Sequence, residues 1–264
     1  MKWFILIVSC FPALAQHPLF SGSGIDWTRA SAITDPSPAG INGALFYWNY
    51  TNTLLNTFTT NWVDQISGKP FLWNTTRAAN TRPTNSTHGV YFDGFNVTSQ
   101  ALTNDHFLGN GSGSWSNYWQ YISLKPNGFD NNPLYLWGPG GTGHGVFRSG
   151  TSKIYAYFTP NGNIAFTIAL ASNTEYDFEM VSSNGVMWFW TNGIAAVTAG
   201  SLGYGSANSF DPTSLGGDLT ANGYSGFIHD LAIGTNGYGG QFFGSVQASN
   251  LHWWRTNVIQ FSTP

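Results

Sequence analysis

The fold is decided by residues 175 to 193: Glu175-Tyr176-Asp177-Phe178-Glu179-Met180-Val181-Ser182-Ser183-Asn184-Gly185-Val186-Met187-Trp188-Phe189-Trp190-Thr191-Asn192-Gly193. Its first run alternates acidic with apolar side chains, the period of a strand whose successive residues point to opposite faces. Tyr176, Phe178 and Met180 are therefore expected to face a core, and Glu175, Asp177 and Glu179 to face water. The two Asn-Gly pairs supply the positive φ that tight type I′ hairpin turns need, so the stretch reads as strand, turn, strand, turn.

The same punctuation recurs outward from this point. Asn-Gly occurs eight times, starting at residues 42, 110, 127, 161, 184, 192, 222 and 236. Short β-branched and aromatic runs lie between: 45–49, 90–93, 118–124, 134–137, 153–158, 164–170, 175–181, 186–191, 194–198 and 227–233. Ten short strands without a long helix give an all-β class, an antiparallel β-sandwich or barrel. Residues 153–198 read as one continuous meander. One or two helical turns are expected at Ser245 to Arg255, with Val246, Leu251 and Trp254 on one side.

Composition narrows the function. Of 264 residues, 42% are hydrophobic and 17% aromatic, but only 8% are charged, against about 25% in an ordinary soluble domain. Twenty Phe, twelve Trp and twelve Tyr exclude a disordered chain. A net charge of −3 with no basic cluster excludes nucleic acid as a partner. Met1 to Ala15 reads as a secretory signal peptide, with Lys2, a short apolar run and Ala13-Leu14-Ala15 as the cleavage site. A short strand or anchor and a lipoprotein box at Cys10 are the other readings of that segment. It is too short for a transmembrane span, which takes about 20 apolar residues. Residues 16–264 then form a single domain, secreted or at a cell surface, in a bacterial or phage-associated setting. Cys10 is the only cysteine, so the mature chain lacks disulfides.

Four segments, in order, resemble the concanavalin A-like lectin and glucanase superfamily, in particular its laminin G-like jelly roll. They are Trp62-Val63-Asp64-Gln65-Ile66-Ser67-Gly68, His88-Gly89-Val90-Tyr91-Phe92-Asp93-Gly94, the paired strands ending in Trp190-Thr191-Asn192-Gly193, and Gly226-Phe227-Ile228-His229-Asp230-Leu231-Ala232-Ile233. The resemblance implies a jelly-roll sandwich with a short helix after its last strand. It does not fix function, since this fold hosts lectins, adhesion modules and glycosidases. It also raises Ca²⁺ as a cofactor, with Asp64, Asp93 and Asp230 as candidate ligands, because hard oxygen donors suit that ion.

Glu175-Tyr176-Asp177-Phe178-Glu179 also matches the E-x-D-x-E of laminarinase- and lichenase-like retaining glycosidases. That resemblance implies Glu175 as nucleophile, Asp177 as its tuner and Glu179 as acid/base. Retention needs the two carboxyls about 5–5.5 Å apart, whereas i and i+4 on a straight strand are about 13 Å apart. The immediately following hairpin also places the run in the laminin-like register. Stacking on sugar C–H faces needs aromatics beside loops, which makes Trp115, Tyr118, Trp119 and Trp137 the candidate ligand-binding residues. The glycine loop Gly138 to Gly145 lacks the Lys and following helix of a phosphate loop. The scattered histidines show no zinc spacing.

These observations lead to a secreted, non-catalytic carbohydrate-binding or adhesion module of the laminin G-like type, with a glycan or surface polysaccharide as partner. Two alternatives stay open: a self-assembling structural protein of a filament, coat or virion, and a retaining β-glucanase using Glu175, Asp177 and Glu179.

Overall fold

The computed structural model describes residues 37–41, 43–49, 61–68, 70–73, 83–86, 89–93, 102–104, 118–127, 134–135, 145–149, 153–158, 162–167, 171–183, 186–195, 213–216, 224–235 and 244–259. The strands in chain order are β1 (Ala44–Asn49), β2 (Asn61–Val63), β3 (Pro70–Trp73), β4 (Thr84–Ser86), β5 (Gly89–Asp93), β6 (Leu102–Asn104), β7 (Tyr118–Pro126) and β8 (Leu134–Tyr135). They continue with β9 (Gly145–Ser149), β10 (Lys153–Phe158), β11 (Gly162–Thr167), β12 (Tyr176–Ser183), β13 (Val186–Thr191), β14 (Ile194–Ala195), β15 (Thr213–Leu215) and β16 (Ser225–Thr235). Among the described residues there is one α-helix, α1 (Ser245–Trp254), which runs into a π-turn at Arg255–Ile259.

Every strand pair among the described residues is antiparallel. The protein is an all-β, antiparallel β-sandwich, as its alternation and turns predict. The main sheet runs β14-β13-β12-β7-β16-β5-β4, with β1 also paired to β16. Two four-stranded sheets, β11-β10-β9-β8 and β15-β6-β3-β2, complete the set. The expected meander over 153–198 is broken: β10 and β11 pair with each other, while β12 pairs with β13 and β7. The chain changes sheets through residues 171–175, where Asn173 takes a φ of 56° and its N–H donates to the Pro126 carbonyl at 2.6 Å. The predicted turn at Asn192-Gly193 is present, with φ of 52° and 71°.

One face of the main sheet packs against β2 and β3. Trp48 of β1 meets Phe71 of β3 with ring centroids 4.7 Å apart, and the Trp62 indole donates to the Asn49 carbonyl at 2.9 Å. Phe178, Met180, Ile122, Leu231 and Ile233 are buried as well, each on the alternate positions of its strand. Burial of this kind contributes roughly 1.5–3 kcal/mol per large apolar side chain, which is why the aromatic content of the chain builds a core and not a surface.

The opposite face is partly covered by α1. Ala248, Leu251 and Trp254 pack with Tyr47, Trp119, Tyr121, Val181, Trp190 and Ala232. Residues three apart share a helix face, so the buried stripe is Ala248, Leu251 and Trp254. Val246, expected on that stripe, lies off it and is 53% exposed. Gln247 fixes the start of α1 by accepting the Gly244 N–H at 2.9 Å. Among the described residues no helix is long and apolar enough to cross a membrane. The expected signal segment Met1–Ala15 lies outside the described residues.

Candidate functional site

Strand register lays the α1-side face out in rows, because directly paired residues share a face. One row is Tyr47, Ala232, Tyr121, Glu179 and Trp190, across β1, β16, β7, β12 and β13. The next is Asn49, Asp230, Ser123 and Asp177. Both lie under or beside α1. Beyond them runs a third row, Tyr91, Phe227 and Lys125, continued by Glu175 at the head of β12. All four of its members are half-buried.

The acidic alternation of β12 has an outcome different from the expected one. Asp177 and Glu179 are both fully buried, while only Glu175 keeps contact with solvent. The reason is α1: a strand face that would be wet in a one-sided sheet is roofed by the last helix. Asp177 Oδ2 accepts from Arg255 Nε and lies 2.8 Å from His252 Nδ1. Burial alone lowers the Arg255 guanidinium, but the Asp177 carboxylate beside it more than reverses this and holds it above its ordinary value. No donor reaches either oxygen of Glu179. Burial, then the charge of Asp177, pushes its carboxyl well above the usual range. Burial followed by the Asp230 charge likewise raises the Tyr121 and Tyr47 phenols.

For the glucanase trio this means that Glu175 and Glu179 do not flank one open cleft. Glu175 is at the rim and Glu179 is beneath the helix.

The open row is built differently. Register shifts between Ile228 and Asp230, a bulge that adds a residue to β16 and re-aims its side chains. His229 is thereby placed on this face, 1% exposed, its ring stacked 6.2 Å from Phe227 at 4°. Its Nε2 lies 2.7 Å from Glu175 Oε2, and Lys125 Nζ lies 3.9 Å from Glu175 Oε1. Gly89 makes the bulge possible: a Cβ there would sit 2.4 Å from the Ile228 carbonyl oxygen. Tyr91 packs on Phe227 with centroids 4.9 Å apart at 48°, and its hydroxyl accepts from the Asn127 amide at 2.9 Å. The result is two aromatic faces, an amide and a cation–carboxylate–imidazole cluster on a sheet.

Of the residues expected to stack on sugars, Trp119 is 1% exposed. It is a core residue whose indole lies against Gly234, because it belongs to the α1-covered face of the sheet. Tyr118 heads β7, opposite Ser182 and Thr235; its side chain, like Trp115, Trp137 and residues 138–144 of the glycine loop, lies outside the described residues, while Gly145 opens β9. The candidate calcium ligands are not gathered into one set. Asp64 organises its own turn: its carboxylate accepts from the N–H groups of Tyr47, Ile66 and Ser67 and from the Ser67 hydroxyl. Asp230 is buried, with Oδ1 3.4 Å from the Tyr47 hydroxyl. Asp93 ends β5 opposite Ser225, its side chain outside the described residues. Among the described residues no group of three His, Cys, Asp or Glu suits a metal.

The sequence reading missed Tyr91, Phe227, Lys125, Asn127 and His229. The parity of two strands held part of the signal, since Val90 and Phe92 point inward and leave Tyr91 on the other face.

No protein-family model and no curated protein sequence matches the chain. Among solved structures it is similar to Trypanosoma rangeli sialidase, at 10% identity and a TM-score of 0.62, over 88% of this chain and 38% of that one. It is also similar to the botulinum neurotoxin serotype D binding domain, at 11% identity and a TM-score of 0.60, over 83% of this chain and 53% of that one. A third likeness is to domain 4 of AbnA, a GH43 extracellular arabinanase from Geobacillus stearothermophilus, in complex with arabinotriose. There the identity is 12% and the TM-score 0.53, over 80% of this chain and all of that domain. The chain thus spans well under half of the sialidase and about half of the toxin domain, and at these identities what is shared is a β-rich sandwich fold.

Proposed function

We propose that this chain is a non-catalytic carbohydrate-binding module of the laminin G-like type, acting outside the cell, and that it takes its glycan on the row Tyr91, Phe227, Lys125 and Glu175. The observation that carries this reading is the half-buried aromatic pair set beside Asn127 and the Lys125–Glu175–His229 cluster. Sugar C–H faces stack on aromatic rings, and their hydroxyls need paired donors and acceptors held in place. Four adjacent strands carry the row, so it extends about 14 Å at the usual strand spacing, enough for more than one sugar unit. The likeness to the AbnA domain, which is described in complex with arabinotriose, supports the carbohydrate class. The burial of Glu179 under α1 supports a binding role without catalysis.

The test is a glycan array with and without calcium, followed by calorimetry on the strongest hit. Wild-type protein binds a glycan, and Tyr91→Ala with Phe227→Ala abolishes that binding while leaving the melting transition cooperative. Absence of binding to any glycan, in either condition, would overturn the reading.

A further inference from the structure

We infer that the open row selects neutral oligosaccharides and rejects acidic ones, with Glu175 as the residue that sets this selectivity; the inference rests on the glycan-binding reading above. Lys125 and His229 converge on the two oxygens of one carboxylate, at 3.9 Å and 2.7 Å. Both groups that would attract a sugar carboxylate or sulfate are therefore already engaged. Among the described residues the other basic groups on this side, Arg255 and His252, are engaged by Asp177, and Asp230 adds further negative charge beneath. An acidic sugar arriving beside Phe227 meets the Glu175 carboxylate before it meets an available cation, and like charges at close range repel. A neutral sugar meets no such barrier. Its hydroxyls can donate to Glu175 and accept from Lys125 or Asn127 without breaking the cluster. Removing only the charge of Glu175 reverses the situation, since Lys125 loses its counter-ion while the shape of the row is kept. Specificity of this kind rests on a built-in repulsive element as much as on attraction.

The experiment compares neutral arabino- and gluco-oligosaccharides with sialylated and uronate-containing oligosaccharides of equal length, by calorimetry at low and moderate salt. Wild-type protein binds a neutral oligosaccharide at least about tenfold more tightly than any acidic one, with little salt dependence. Glu175→Gln brings the acidic ligands to parity or better, and that gain disappears at higher salt and in the Lys125→Gln/Glu175→Gln double variant. Equal wild-type affinity for acidic and neutral ligands, or an unchanged ratio in a folded Glu175→Gln protein, overturns the selectivity while leaving the module reading intact. If Glu175→Gln does not fold, the wild-type ratio and its salt dependence decide the matter alone. A wild-type protein that binds no glycan of either kind overturns both readings.

Discussion

Arg255, in the last turn of the described chain, donates its Nε to the carboxylate of Asp177 in the middle of the main sheet. The contact joins residues 78 apart in sequence, both buried, and fastens α1 over the β12 face. A buried carboxylate is tolerated only while paired, and removing one partner of such a pair costs about 3–5 kcal/mol. Arg255→Met is expected to lose stability of that order in urea unfolding. Asp177→Asn/Arg255→Met should recover much of it, because neither charge is then stranded; an Arg255→Met protein as stable as the wild type would show that α1 is held by its apolar stripe alone.

Glu179 makes stability depend on pH in the direction opposite to an ordinary surface carboxylate. Its folded carboxyl is raised well above the unfolded value by burial and by Asp177. As pH climbs through the usual carboxyl range, the unfolded chain releases this proton while the folded chain keeps it. The unfolded state then binds fewer protons, so the contribution of Glu179 is fully present at low pH and is lost as pH rises toward the folded value. Glu179→Gln removes this dependence. Thermal melts should therefore show the variant gaining on the wild type as pH rises above the usual carboxyl range; a constant difference would mean that the fold does not raise the Glu179 carboxyl.

Much of this architecture is legible in the sequence, and the reasons are local. β13 falls where an aromatic run lies between Asn184-Gly185 and Asn192-Gly193, because the turn chemistry bounds it on both sides. β2, β4 and β15, three residues each, escape because so short a run carries no period. Alternation tells which residues of β12 share a face but not what covers that face. That is why Asp177 and Glu179, expected in water, are buried, and why Trp119 is a core residue. Tyr91 is recoverable from parity. His229 is not, since the bulge that turns it toward Glu175 depends on the pairing of β16 with β7.

Gly234 and Trp119 test the assignment of that tryptophan to the core. A Cβ on Gly234 would lie 2.3 Å from the indole Cε2, closer than packed atoms approach. Overfilling a packed core costs about 1–3 kcal/mol, so Gly234→Ala should lower the urea midpoint by that order. A smaller ring relieves the clash, and Gly234→Ala/Trp119→Phe should be less unstable than the two single effects added together. Strict additivity in that cycle would place the two residues out of contact.

The aromatic pair of the open row separates platform from anchor. Phe227 touches both Tyr91 and the His229 ring, and His229 in turn binds Glu175, so Phe227 supports the stacking surface and the polar cluster together. Tyr91 supplies a ring on one side and, through its hydroxyl, holds the Asn127 amide. Phe227→Ala is therefore expected to weaken glycan binding the most, about thirtyfold or more, and Tyr91→Ala about tenfold, the scale of about 1.4–2 kcal/mol. Tyr91→Phe keeps the ring and frees Asn127, and should cost only a few-fold. Because both rings are half-buried, each alanine variant should lose about 1 kcal/mol of stability, within the common range for single substitutions. Calorimetric affinity measured beside unfolding midpoints checks the order: if Tyr91→Phe loses as much affinity as Tyr91→Ala, the hydroxyl and Asn127 carry recognition and the ring does not.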